Sequence, residues 1–192
     1  MAILTFVMFS VWAVVKMAQN EVPGDMEVRQ GDILLVDDKF EAAIAKFDEA
    51  LAEQPDHRGA LGGKAVALMA LNRDRQAEEL FGYLINHLLA TLEADDPTGA
   101  GALAAAYANR GIIKDRQGRY EEALADYIDS IKIDFDLADG PGWIEHLLYY
   151  DNKPSSVVGR AEYLYKQLKL PENERLMRVP EMDEKQRRYK PR

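Results

Sequence analysis

The most regular pattern of apolar and polar positions lies in the stretch FEAAIAKFDEALAEQP near the start of the chain. Ala43, Phe47, Ala50 and Pro55 follow one another there at intervals of four, three and five residues. The first three therefore share one face of a helix, in the order small, large, small. Pro55 is predicted to end that helix, because its ring blocks a further turn and its nitrogen has no hydrogen to donate.

The same spacing returns twice further along the chain. Gly31, on a predicted preceding helix, belongs to the first copy together with Ala43 and Phe47. Thirty-four positions later, the second copy places residues of matching size at Ala65, Ala77 and Phe81. The third copy has the corresponding residues at Gly111, Ala123 and Tyr127, and it also contains Tyr107 and Tyr120. The last position of the contact face varies, with Leu84 in the second copy where the first has Ala50. The sequence therefore predicts three helical hairpins, each with a small residue followed by a large one on its contact face.

This recurring pattern resembles the tetratricopeptide repeat (TPR), a pair of antiparallel helices that recurs with a period of about 34 residues. The third copy departs from the family's pattern in two places, with Phe135 where the family has proline and Ser130 where a small apolar residue is usual. The resemblance implies an all-α fold. In that family the hairpins stack as a right-handed α–α superhelix, here a TPR solenoid of three repeats plus a degenerate fourth hairpin.

The predicted order of segments follows from these copies. The chain is divided into a hydrophobic segment over residues 1–18, a linker over 19–24, the solenoid over 25–170 and a C-terminal tail over 171–192. The repeats are expected at about 25–57, 58–92 and 102–137, and the fourth hairpin at 142–170. The stretch ADDPTGAGA before the third copy is interpreted as a loop, one that inserts about twelve residues and lies in the length range of functional loops.

Two local features are predicted in the last part of the chain. Ser156 can cap the second helix of the fourth hairpin with its side-chain oxygen, and that helix is expected to run to Leu170. The first helix of this hairpin is expected over Trp143–Tyr150. The first part of the tail is expected to form one helical turn that docks on the stack.

The first fifteen residues, MAILTFVMFSVWAVV, contain no charged side chain. A helix over residues 2–18 would be about 25 Å long, slightly less than a hydrocarbon core of about 30 Å. That length suits a signal-peptide apolar segment or a marginal membrane anchor. The alternative is that the segment is the first helix of the globular core, although its apolar residues surround the whole helix instead of forming a stripe. If the anchor is retained, a six-residue linker holds the repeats within about 20 Å of the bilayer.

The family's concave surface is formed by the first helix of each repeat, and the resemblance implies that a partner's peptide or helix binds there. By helical phase, the predicted partner-binding groove is lined by Val28, Asp32, Leu35, Val66, Met69, Asn109, Ile112 and Arg116. The alternative is that these residues pack on one another or on the C-terminal tail. One branch of the family binds a partner's terminal carboxylate with lysine, asparagine and arginine. Of the corresponding positions here, Val28, Asp32, Gly63, Ala105 and Asn109, only Asn109 is compatible. A carboxylate clamp is therefore not expected.

Composition restricts the chemistry further. The net charge of −9 argues against nucleic-acid binding, and the absence of cysteine excludes disulfides, thiol catalysis and thiolate metal sites. His57, His87 and His146 are far apart and match no metal-ligand spacing. No residue pattern indicates catalysis or phosphate binding, so we expect no enzyme activity, cofactor, metal or small-molecule substrate.

These observations lead to two functional hypotheses. The first is a non-enzymatic protein–protein interaction module, an adaptor or assembly factor tethered to or exported across a bacterial inner membrane. The second is a stoichiometric structural subunit of a membrane complex, whose residues 1–18 pack against another protein's helices. The layout resembles that of exported repeat proteins, which implies a periplasmic location, although a cytoplasmic orientation of the body stays open.

Overall fold

The computed structural model describes residue 8, residues 22–134 and residues 156–179. Within these ranges it has seven α-helices, one short 3₁₀ helix and no β-strand, which agrees with the predicted all-α class. The α-helices are α1 (Asp25–Val36), α2 (Phe40–Glu53), α3 (Arg58–Ala70), α4 (Asp74–Thr91), α5 (Pro97–Arg116), α6 (Tyr120–Ile133) and α7 (Val157–Leu168). The 3₁₀ helix, Glu172–Glu174, forms the helical turn expected at the start of the tail.

The first three hairpins share one turn geometry. In each turn a residue has a left-handed backbone, with φ of 56° at Asp38, 57° at Asn72 and 79° at Gly118. Aspartate, asparagine and glycine are the residues that tolerate this conformation best. The backbone N–H of the following residue then donates to a carbonyl five positions earlier in all three turns, as in a Schellman motif. The same local chemistry therefore reverses the chain three times.

The small–large spacing of the sequence corresponds to direct packing. The ring of Phe47, which has no exposed surface, lies between Gly31 of its own hairpin and Gly63 of the next. A Cβ atom at either glycine would overlap the ring. Likewise, a Cβ at Gly111 would lie 2.7 Å from the ring of Tyr127. Glycine is required at these places because a large ring crosses directly over the helix backbone.

The helices stack in chain order. Each helix from α1 to α6 packs on the next one, and α7 packs on α6. In addition, α1 contacts α3 and α3 contacts α5, so the first helices of the three hairpins lie side by side. The buried apolar side chains form one core that runs through all three hairpins and includes Val157, Ala161 and Leu164 of α7. Sequential stacking, which the repeat pattern required, is therefore present in the described part of the chain.

The structure corrects the predicted start of the third hairpin. Residues 97–101, which we interpreted as part of a loop, form the first turns of α5. Asp96 caps this helix by accepting a hydrogen bond of 2.8 Å from the backbone N–H of Gly99, and Pro97 occupies the first helical position. Aspartate followed by proline is a favourable helix start, because proline needs no hydrogen-bond acceptor there. The loop prediction was wrong for residues 97–101 because Asp96 and Pro97 start a helix inside this stretch.

Several predicted elements lie outside the described residues. They include most of the hydrophobic segment and linker, the helix expected over Trp143–Tyr150, and the tail beyond residue 179. The second helix of the predicted fourth hairpin is α7. At its start, the Ser156 side chain accepts a hydrogen bond of 3.0 Å from the Gly159 N–H, so the predicted cap is confirmed. None of the helices formed by the described residues has the length and apolar character needed to cross a membrane.

Candidate interaction sites

The predicted groove residues are mostly packed inside the stack. Five of the eight, Leu35, Val66, Met69, Asn109 and Ile112, are at most 7% exposed. Val28 and Arg116 are half-buried, and Asp32 is exposed. Val66 and Met69 are buried because their helix, α3, is in contact with four other helices, α1, α2, α4 and α5. Helical phase assigned these residues to one side of their helices, but in this structure only Val28, Asp32 and Arg116 have surface that a partner can reach.

Asn109, the one residue compatible with a carboxylate clamp, has an internal partner. Its side-chain amide donates a hydrogen bond of 3.0 Å to the backbone carbonyl of Ala105, one turn earlier in α5. The side chain is 1% exposed. A buried amide that bonds the preceding turn satisfies its own polarity within the helix. Asn109 therefore stabilises the interior of α5 in this structure.

The outer face of α1 carries exposed apolar side chains. Met26 is 55% exposed, Ile33 63% and Val36 73%. Intervals of seven and three residues place these side chains on one side of the helix. The N-terminal end of the stack therefore presents an apolar face, and the apolar residues 1–18 precede it in the sequence.

An open cleft of about 380 Å³ lies between the second and third hairpins, lined by Arg75, Glu78, Glu79, Arg110, Lys114 and Arg119. Two ion-pair systems dominate it. Arg110 donates twice to the Asp126 carboxylate, at 2.8 and 2.7 Å, and Lys114 lies 2.8 Å from the same carboxylate. This pairing with Asp126 raises the pKa of Arg110.

The second system joins successive hairpins across the cleft. The guanidinium of Arg119, in the α5–α6 turn, contacts both oxygens of Glu78 on α4, at 2.7 and 2.9 Å, and also binds Glu122. Hydrogen bonds to Glu122 and Glu78 raise the pKa of Arg119, while Arg119 lowers the pKa of the Glu122 carboxyl. Because these cations already face carboxylates, the cleft is better suited to connecting two hairpins than to binding a free anion.

A buried polar junction connects α7 to the third hairpin. Arg160 of α7 donates two hydrogen bonds to the Asp115 carboxylate, from Nε at 2.7 Å and from Nη2 at 2.8 Å. The Tyr127 hydroxyl donates to the same carboxylate at 3.1 Å. All three residues are at most 3% exposed. Burial, together with the Asp115 charge, raises the pKa of Tyr127 well above its ordinary value, so the hydroxyl remains a donor.

Residues 175–179, which we call the C-terminal strap, follow the 3₁₀ helix and return along α7. Their backbone is bound by side chains of that helix: the Tyr163 hydroxyl donates to the Leu176 carbonyl at 2.5 Å, and Arg160 Nη2 donates to the Met177 carbonyl at 3.0 Å. The Leu176 N–H donates to the Gln167 side-chain carbonyl at 2.7 Å. Arg178 reaches the Arg116 carbonyl at the end of α5. The docking of the tail, predicted in outline, is therefore observed.

Sequence reasoning did not identify the residues that hold this strap. Arg160, Tyr163 and Gln167 are spaced by three and four residues, so they share a face of α7. That spacing is a signal of a polar helix face, but a solvated face has the same pattern. Asp115 and Arg160 are 45 positions apart, and periodicity cannot pair residues at such a distance.

Comparison with known proteins supplies no assignment. No protein-family model matches the chain. No curated protein matches its sequence significantly.

Proposed function

We propose that this protein is a non-enzymatic interaction module of the TPR type, an adaptor or assembly factor for a protein complex at a bacterial inner membrane. The observation that carries the proposal is the order of the stack: successive hairpins pack in sequence, and their first helices α1, α3 and α5 lie side by side. Such a modular array exposes a long surface made of several repeats, which suits the binding of another polypeptide.

The surface chemistry supports a protein partner over a small molecule. The charged cleft is open, and its lining arginines and lysine are paired with carboxylates, Arg75 within its own helix and Arg110, Lys114 and Arg119 with carboxylates of other helices. In the described residues, no group of three or more histidine, aspartate or glutamate side chains is arranged to hold a metal ion. The exposed apolar residues of α1 add a surface that another polypeptide can cover.

The binding surface can be tested with two matched charge reversals in the full chain. Asp32, on α1, is the exposed member of the predicted groove, whereas Glu53 is exposed at the end of the outer helix α2. Asp32→Lys and Glu53→Lys change the net charge equally. We expect Asp32→Lys to weaken recovery of the partner about tenfold in mild-detergent capture from the native host, because a reversed charge opposes the partner's complementary group. Glu53→Lys should leave recovery unchanged.

Equal effects of the two substitutions, or no effect of either, would reject the groove assignment. The amount of partner recovered separates the two functional hypotheses. A fixed equimolar ratio indicates a permanent structural subunit, whereas a small and variable fraction indicates an assembly factor.

The membrane part of the proposal depends on residues 1–18 and needs its own experiment. Cells expressing the full chain with a C-terminal tag are lysed and fractionated, and the N-terminus of the product is determined by mass spectrometry. Membrane association with an intact N-terminus supports an anchor, and loss of the segment with recovery in the periplasm supports export. A soluble cytoplasmic product that retains its N-terminus would reject both.

A further inference from the structure

The C-terminal strap contacts α7 in the way that an extended peptide contacts a receptor. Tyr163 and Arg160 donate to two successive carbonyls of the strap, and Gln167 accepts from the N–H of Leu176. These three side chains come from successive turns of one helix, and they bind main-chain atoms. Recognition through the main chain provides affinity that does not depend on the peptide's own side chains.

Three side chains of the strap add to the contact. The Arg175 guanidinium donates to the carbonyls of Leu170 and Leu168 at the C-terminal end of α7, at 2.9 and 3.2 Å, and Arg178 donates to the Arg116 carbonyl. Leu176 is 61% exposed, although both its N–H and its carbonyl are bound. Met177, in contrast, is half-buried and packs against the apolar core of the stack. The surface therefore selects an extended backbone with an apolar side chain at the position of Met177 and basic side chains at the positions of Arg175 and Arg178. Many polypeptides meet this requirement, so the site is not restricted to its present occupant.

One receptor side chain of this contact, Arg160, is held by partners outside the strap. Arg160 is fixed by its two hydrogen bonds to Asp115, which in turn accepts from Tyr127. These partners belong to α5 and α6, so the donor that faces the strap keeps its position whether or not the strap is present. A donor that is held in place before binding lowers the entropy cost of binding a peptide.

We propose that the strap is an intramolecular ligand that occupies a peptide-binding surface formed by Arg160, Tyr163 and Gln167. An extended segment of a partner protein, with an apolar residue in place of Met177, binds this surface after displacing the strap. This second site, at the C-terminal end of the stack, rests on the proposed interaction function and extends it. The chain's own strap occupies the site and blocks it. A covalently attached ligand acts at an effective concentration in the millimolar range, so only a partner of matching chemistry displaces it.

The test uses the full chain and a labelled peptide with the sequence of residues 171–179, PENERLMRV. In the strap variant, Leu176→Pro removes the N–H that binds Gln167, and Met177→Asp removes the apolar anchor. Neither substitution alters α7. We expect the peptide to bind the strap variant at least about tenfold more tightly than the wild type by fluorescence anisotropy, because the competing intramolecular ligand has been removed.

A control variant carries the same strap substitutions together with Tyr163→Phe and Gln167→Ala. It should lose the gain in affinity, because the hydroxyl and the amide that bind the peptide backbone are absent. Far-UV circular dichroism and the unfolding midpoint establish that each protein is folded. Equal peptide binding by the wild type and the folded strap variant would overturn the proposal, as would equal binding by the strap variant and the control variant.

Hydrogen exchange of the wild type provides a second, independent measurement. A displaceable strap must open more often than the helix beneath it. We expect the Leu176 amide to exchange at least about tenfold faster than the amide of Leu164, which lies in the core of α7. Equal protection of the two amides would show that the strap is a fixed part of the fold. Neither experiment involves a partner protein or a membrane, so their outcome does not depend on partner capture or membrane association.

Discussion

Two junctions between neighbouring parts of the stack are buried by opposite kinds of contact, one apolar and one charged. Between the first and second hairpins, the ring of Phe47 fits between Gly31 and Gly63, and this contact is made by apolar atoms. Between the third hairpin and α7, the buried contact is the charge pair of Asp115 and Arg160. The first junction depends on matching volumes, whereas the second depends on every polar group keeping its partner. The two junctions should therefore respond differently to the same kind of change.

Removal of the ring at the apolar junction should have the largest effect. Phe47→Ala leaves a cavity between two helices whose glycines cannot fill it, and we expect a loss of about 4 kcal/mol in the free energy of unfolding. Urea denaturation measures this loss. Leu89→Ala, at a side chain that is 61% exposed, is the control and should change stability by less than about 0.5 kcal/mol. Similar effects of the two substitutions would contradict the packing described here.

At the polar junction, the outcome depends on whether one partner or both are replaced. Asp115→Ala leaves Arg160 buried without its carboxylate, and we expect a loss of about 3 kcal/mol. The triple variant Asp115→Leu, Arg160→Met and Tyr127→Phe replaces both charges and the hydroxyl by apolar groups and should recover most of that loss. A triple variant as unstable as Asp115→Ala alone would show that the ion pair itself, rather than an uncompensated charge, supplies the stability.

Adding one methyl group at each of two helical glycines distinguishes steric overlap from the general effect of replacing glycine by alanine in a helix. A Cβ at Gly63 would overlap the Phe47 ring, so Gly63→Ala should destabilise the protein by about 2 kcal/mol. A Cβ at Gly101, also within a helix, would meet no atom within 4 Å. Gly101→Ala should therefore stabilise by up to about 1 kcal/mol, since alanine favours the helix. Thermal unfolding of both variants decides this, and a stabilising Gly63→Ala would refute the close contact.

The smallest effect is expected at a half-buried contact between the two junctions. Asp96 caps α5 and pairs with Arg58 of α3, and the Gly99 N–H followed by Arg58 lowers the pKa of its carboxyl below the ordinary 3.8. The stabilisation is thus present above pH 3.8 and is lost as pH falls through the lowered pKa. Asp96→Asn keeps a capping oxygen but removes the charge.

We expect the Tm of the wild type to exceed that of Asp96→Asn slightly at pH 6. The difference in Tm should shrink once the pH falls below 3.8, the ordinary pKa of the aspartate carboxyl. Scanning calorimetry at several pH values measures it. A difference that grows as the pH falls would have the wrong sign for a carboxyl with a lowered pKa.

The candidate sites could be predicted only in part. Helical phase placed Met69 and Ile112 on a partner-binding face, yet both are buried because neighbouring helices contact α3 and α5 on several sides. Asp32 is the predicted groove residue that lies fully at the surface. The tail was expected to dock, but its backbone partners on α7 were not foreseen. A periodic pattern shows which residues share one face of a helix, but it does not show which other helices cover that face.

The sequence by itself determined the local structure of this protein. Asp38, Asn72 and Gly118 favour the left-handed turns, and the spacing of Gly31 and Phe47 predicts where a ring crosses a helix. These features act over one or two helical turns or recur at a fixed period, so they can be recognised in the amino-acid sequence. Only the tertiary structure decided that Asp115 meets Arg160 and that the strap returns along α7. Such contacts join residues far apart in the chain, and their energy depends on burial that no local pattern specifies.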